Sequence, residues 1–94
     1  MELNIAFGQV LRDIRKQRGL TQEDFSDVSS RTYLSTLERG LKCPTIDKIT
    51  QLAEVLRVHP ATLITAAFLA QERAVARKEL LQQIDTELKD LGML

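Results

Sequence analysis

The stretch Gly19-Leu20-Thr21-Gln22-Glu23-Asp24-Phe25-Ser26-Asp27-Val28-Ser29-Ser30-Arg31-Thr32-Tyr33-Leu34-Ser35-Thr36-Leu37-Glu38-Arg39-Gly40 decides the fold. A glycine stands at each end, where helices commonly close in the left-handed conformation, so one helix stops at Gly19 and another at Gly40. Thr21 followed by Asp24 has the form of a capping box, with Asp in the place of the better-attested Glu or Gln. It opens a short helix over about residues 22–27, with Phe25 facing inward. Val28-Ser29-Ser30 interrupts the pattern, and Ser30 is a good N-cap for a third helix over residues 31–39. Leu34 and Leu37 form the buried edge of that helix.

Working outward, Phe7, Val10, Leu11 and Ile14 recur at helical spacing and predict an amphipathic first helix over about residues 4–18, capped by Asn4. Beyond Gly40, residues 41–44 form a loop and Thr45 caps a fourth helix. Its apolar stripe is Ile46, Ile49, Leu52, Ala53 and Leu56. Arg57-Val58-His59 is a connector, with His59 a surface or cap residue. Pro60 takes the first position of a fifth helix, where its missing N–H costs nothing. From Pro60 to Leu91 no Gly or Pro intervenes, and Gly92 is the next stop signal. No period-2 alternation of strand length occurs, so the fold class is all-α.

The tail has its own pattern. Ala67, Ala70, Ala74, Arg77, Leu81, Ile84, Leu88 and Leu91 follow heptad steps broken only by Arg77. Asp85 and Lys89 on the outer face stand at a favourable i, i+4 spacing. Residues 1–68 are thus read as one domain and residues 69–94 as a C-terminal helical extension. One reading packs the alanines of the seam back onto the protein's own bundle. The other, preferred because a monomer would expose the stripe, makes Leu81, Ile84, Leu88 and Leu91 a dimer interface.

The chain has 94 residues, with 44% hydrophobic and 28% charged, which excludes a wholly disordered polymer and argues for one small domain with an appendage. Its longest uncharged stretch, residues 58–71, is too short to span a bilayer, and the N-terminus lacks a signal-peptide layout. The single cysteine, Cys43, rules out an internal disulfide and fits a reducing cytoplasm; no His, Asp or Cys cluster surrounds it, so no metal is expected. No nucleophile–base set, carboxylate pair or Gly-rich phosphate loop marks an enzyme or a cofactor site. Thirteen basic and thirteen acidic residues cancel, which taken alone argues against a nucleic-acid binder. Their placement reverses that objection. Arg12, Arg15, Lys16, Arg18, Arg31, Arg39 and Lys42 gather around the third helix, whereas Glu23, Asp24 and Asp27 follow the second helix and Glu72, Glu79, Asp85, Glu87 and Asp90 lie on the tail.

A short capped helix, a tight turn and a second short helix ending in Gly form a helix-turn-helix candidate. The third helix is held by Leu34 and Leu37 on one side and shows Arg31, Thr32, Ser35, Thr36 and Arg39 on the other. Arg can reach O6 and N7 of guanine, and Thr or Ser can bond a base edge or touch a thymine methyl. Leu20-Thr21-Gln22, Leu37-Glu38-Arg39-Gly40 and Pro44-Thr45, at these distances, resemble the lambda repressor/Cro-like, or XRE, helix-turn-helix family from about residue 5 to residue 66.

That resemblance implies a five-helix bundle, here with an extended C-terminal helix, that binds double-stranded operator DNA as a homodimer and regulates transcription. It implies base reading by Arg31, Thr32, Ser35 and Thr36. Phosphate contacts would come from Thr21, Gln22, Ser30, Tyr33, Arg39, Lys42 and Arg12, and a structural ion pair from Arg15 and Glu38. Tyr33 is expected to be exposed. The chain departs from the pattern in one place: members usually have a longer turn containing Ala-Gly, so the assignment of Asp27, Val28 and Ser29 stays open. Only the tail helix lies beyond residue 68, so no ligand-sensing domain is expected within these residues. Two other classes compete: an antitoxin whose tail helix binds a toxin protein, and a protein-binding adaptor without DNA affinity.

Overall fold

The structure, a computed structural model, describes residues 1–93; Leu94, the last residue of the tail segment, lies outside the described residues. Its order is α1 (Leu3–Gln17), a single 3-10 turn (Gln22–Phe25), α2 (Arg31–Glu38), α3 (Ile46–Leu56), α4 (Pro60–Gln71) and α5 (Arg77–Asp90). The described residues contain no strand. The all-α fold therefore stands as read, and the expected third helix is α2.

The ends of these helices follow from their residues. Gly19 (φ 69°) and Gly40 (φ 73°) both close helices in the left-handed conformation. At each, two amides return to the last turn: Leu20 to the Arg15 carbonyl and Gly19 to Lys16, then Leu41 to Thr36 and Gly40 to Leu37. Ser30 Oγ accepts the Tyr33 amide at 3.1 Å and Thr45 Oγ1 the Lys48 amide at 3.1 Å, as caps should. His59 Nδ1 caps α4 by accepting the Ala61 amide at 3.0 Å. Arg57 closes α3 in the left-handed region (φ 61°), an ending that no glycine announced.

Four details differ from the sequence reading. Asn4 does not cap α1, because the helix already begins at Leu3, whose side chain then packs against the core. Ile46 is 76% exposed, since the first helical residue of α3 lies outside the turn that meets the core; the buried stripe starts at Ile49. The second helix contracts to the 3-10 turn: the Val28 and Ser29 amides both donate to the Phe25 carbonyl, at 3.0 and 2.9 Å, and the chain swings directly toward α2. Finally, the fifth helix does not continue to Leu91. It stops at Gln71, Glu72 leaves helical geometry (φ −112°, ψ 82°), and α5 begins afresh at Arg77. No breaker residue explains this. Helices this short depend on tertiary packing, and beyond Ala67 no further residue of α4 is buried.

The core lies wholly before residue 68: Phe7 and Leu11 of α1, Phe25 of the 3-10 turn, Leu34 and Leu37 of α2, Ile49, Leu52, Ala53 and Leu56 of α3, Leu63 and Ala67 of α4. α1 packs against α4 and α2, and α3 against α4 and the 3-10 turn. α5 buries no residue. The split also interrupts the heptad seam. Ala67 belongs to the core and Ala74 to the break, while Leu81, Ile84, Leu88 and Leu91 are 37–73% exposed. Asp85 and Lys89 form the expected ion pair at 3.1 Å. The radius of gyration is 14.0 Å, against roughly 12 Å for a compact domain of this length. No single helix among the described residues is long and apolar enough to cross a membrane.

Candidate nucleic-acid interface

α2 can serve as a rigid platform because both of its ends are fixed from behind. At its C-terminal end the Arg15 guanidinium donates to the Glu38 carboxylate through Nε at 2.7 Å and Nη2 at 3.0 Å, with Nη1 on the Leu20 carbonyl at 3.0 Å. The side chains are only 11% and 5% exposed, so this is the partly buried ion pair read from the sequence. The hydrogen bond to Glu38, and behind it the charge of Glu38, raise the Arg15 pKa above its ordinary value against the opposing effect of burial. Gln22 Nε2 also donates to Glu38, at 3.3 Å, tying the 3-10 turn to the same carboxylate.

Gly8 of α1 completes this end. A Cβ there would collide with the Leu37 carbonyl oxygen and lie 2.7 Å from that of Glu38, so only glycine lets the two helices approach so closely. Sequence reading missed Gly8, because a lone glycine inside a helical pattern does not reveal what approaches it. Gly40 combines the two roles: it supplies the left-handed turn and leaves space for Ile5, whose Cα would be 2.8 Å from an added Cβ.

The outer face of α2 is polar and open. Arg31, Thr32, Ser35 and Thr36 line one concavity together with Gln22 and Arg39. Arg12 of α1 adjoins it, lining a second hollow with Gln22, Ser35 and Arg39. Seven of the residues singled out from the sequence thus share one continuous surface. Arg12, Arg31 and Arg39 are exposed and take no part in the hydrogen bonds or ion pairs found among the described residues. The Thr36 hydroxyl donates to the Thr32 carbonyl at 2.8 Å, which leaves its oxygen as an acceptor and its methyl for contact.

The remaining positions lie at the margin. Ser30 is exposed at the start of α2, its oxygen occupied as a cap and its hydroxyl proton free of any recorded bond. Thr21 donates to the Asp24 carboxylate through both its amide (2.7 Å) and its hydroxyl (3.1 Å), so its donors are already engaged. Tyr33 is not exposed as expected. It is half-buried against the core, since it stands one turn from Leu37 on the same side of α2. Two ammonium groups flank its ring: Lys42 Nζ at 6.0 Å and Lys48 Nζ at 5.7 Å from the centroid.

Arg18 does not belong to this surface. Its guanidinium donates to the Leu56 carbonyl at 3.0 Å and the Arg57 carbonyl at 3.4 Å, satisfying the end of α3 where the left-handed Arg57 leaves acceptors open. Lys48 was missed by the sequence reading, because its side chain reaches back twenty residues to the Val28 carbonyl. Among the described residues no group of three or more His, Cys, Asp or Glu gathers to hold a metal ion.

Comparison with known proteins bears on the family and the fold. A family model described as Helix-turn-helix matches residues 11–63. The uncharacterised HTH-type transcriptional regulator y4dJ of Sinorhizobium fredii is 37% identical over 67 residues, 69% of this chain and 87% of that protein. The crystal structure of the restriction-modification controller protein C.AhdI from Aeromonas hydrophila matches with a TM-score of 0.60 at 34% identity, covering 64% of this chain and 94% of that one. The clp gene regulator ClgR from Corynebacterium glutamicum matches with a TM-score of 0.67 at 26% identity, covering 97% of this chain and 90% of that one. The chain belongs to the XRE-type helix-turn-helix family of DNA-binding transcriptional regulators.

Proposed function

We propose that the protein acts in the cytoplasm as a two-fold dimer on a palindromic operator, each α2 entering the major groove of one half-site. Arg31, Thr32, Ser35 and Thr36 read base edges; Arg12, Thr21, Gln22, Ser30, Tyr33, Arg39 and Lys42 hold the flanking phosphates. The observation that carries this reading is the convergence of free arginines and small hydroxyl side chains on the one face of α2 that the core leaves open. Thr21 is the weakest phosphate ligand of the set, because it must first release Asp24. Half-sites would lie about one helical turn, roughly 34 Å, apart.

Residues 1–68 form the DNA-binding domain in this reading, and residues 69–94 the dimerisation extension, with Leu81, Ile84, Leu88 and Leu91 meeting their counterparts. Support comes from an apolar stripe on a helix that buries none of its own residues. A foreign helix of a protein partner fits the same stripe, and co-purification of a second, unrelated chain would favour that partner. Random-site selection with the purified protein tests the main proposal: enrichment of a palindrome supports it, and a pool without enrichment overturns it.

A further inference from the structure

The turn before α2 lacks the glycine that its shortness invites, and something else must fix its course. Val28 and Ser29 both spend their amides on the Phe25 carbonyl, which leaves the Val28 carbonyl without a backbone donor. Lys48 Nζ donates to it. The same ammonium lies 5.7 Å from the centroid of the Tyr33 ring, in the first turn of α2. One side chain from α3 therefore holds the turn and the first turn of α2 together. Its position is unfavourable on electrostatic grounds alone. Lys48 sits in the first turn of α3, where the helix dipole disfavours a cation. The carbonyl and the aromatic face offset that cost, the ring through a cation–π contact.

We infer that Lys48 is a positioning residue for base recognition: by clamping Val28 and Tyr33 it sets the angle at which α2 meets the groove. The inference rests on the reading that α2 contacts bases. Lys42, on the same ring, has no hydrogen bond among the described residues and keeps its ammonium for phosphate. Lys48 acts instead through α2. Tilting α2 by removing the clamp displaces the base contacts more than the phosphate contacts, which come from flexible side chains on several elements. Discrimination, rather than general affinity, is then the property Lys48 controls.

The test compares wild type, Lys48→Met and Lys48→Arg on the operator obtained by random-site selection and on a scrambled duplex, across a range of salt. Lys48→Met is expected to lower the operator-to-scrambled affinity ratio about tenfold, near the lower end of what one aligned base contact supplies. Scrambled-duplex affinity and salt slope should not move, and Lys48→Arg, which also donates and stacks, should restore the ratio. A uniform loss on both duplexes, with the salt slope falling by about 2 per dimer, would make Lys48 a phosphate ligand and overturn the inference. A lowered melting temperature with an unchanged ratio would make it merely structural, and overturns it as well. Amide hydrogen exchange on the free protein supplies a readout without DNA. Lys48→Met should speed exchange at Ser29, Tyr33 and Leu34 while α1 and α4 stay protected; unchanged exchange at those amides counts against the clamp whatever the DNA result. Failure of wild type to prefer any duplex would instead strike the base-reading proposal itself.

Discussion

Glu38 shows how a single residue can fix the end of α2 from behind. Its carboxylate accepts from Arg15 and Gln22 while nearly removed from solvent, so truncating it leaves the guanidinium without its partner in a low-dielectric site. Glu38→Ala should therefore cost about 3–5 kcal/mol, a large share of the roughly 5–15 kcal/mol that hold a small domain together. Urea unfolding followed by circular dichroism measures this; a loss below about 1 kcal/mol would place the pair among the weak exposed ones. Gly8 makes the complementary case. Glycine inside a helix normally gives up about 0.5–1 kcal/mol relative to alanine, so Gly8→Ala would stabilise an isolated α1. Here the new methyl meets the Leu37 and Glu38 carbonyls. A net destabilisation of about 1–3 kcal/mol is expected from overpacking, and the same unfolding experiment reads its sign.

Among the elements, α5 is the one that the core does not explain, and the proposal gives it to dimerisation. It buries none of its residues and leaves Leu81, Ile84, Leu88 and Leu91 uncovered. Burying each on association can contribute roughly 1.5–3 kcal/mol before entropic costs. Removing residues 80–94 should convert a dimer to a monomer in sedimentation equilibrium, with the helix content of residues 1–71 retained; an unchanged dimer would move the interface elsewhere. The elements also show what could be read in advance. Caps and stops with a one-residue mechanism, such as Ser30, Thr45, Gly19 and Gly40, were legible, as were the core face of α2 and the open face opposite. Features set by tertiary contact were not. The break at residues 72–76 has no sequence breaker, Arg57 adopts the left-handed region without being glycine, and Arg18 serves the end of α3 rather than DNA. Tyr33 was legible in principle: its i, i+4 relation to Leu37 already placed it on the inner side.

At the scale of the whole molecule, zero net charge limits the manner of DNA binding rather than its possibility. With Arg15 and Arg18 engaged internally, the basic groups read as flanking this helix come down to Arg12, Lys16, Arg31, Arg39 and Lys42, and the tail, with four basic and five acidic residues, adds no positive charge. About four to eight phosphate contacts per dimer correspond to a slope of log K against log salt of about −4 to −7. In the proposed reading a protein so sparing in charge draws much of its operator affinity from base contacts, with Arg31 assigned to guanine. Salt titrations of wild type and Arg31→Ala, on the selected operator and on a scrambled duplex, test this most directly. The expected result is a loss of about 1–3 kcal/mol on the operator alone, with relaxed preference at one base pair of each half-site. Equal weakening on both duplexes, with the salt slope reduced, would make Arg31 a phosphate ligand and contradict base reading by the open face of α2.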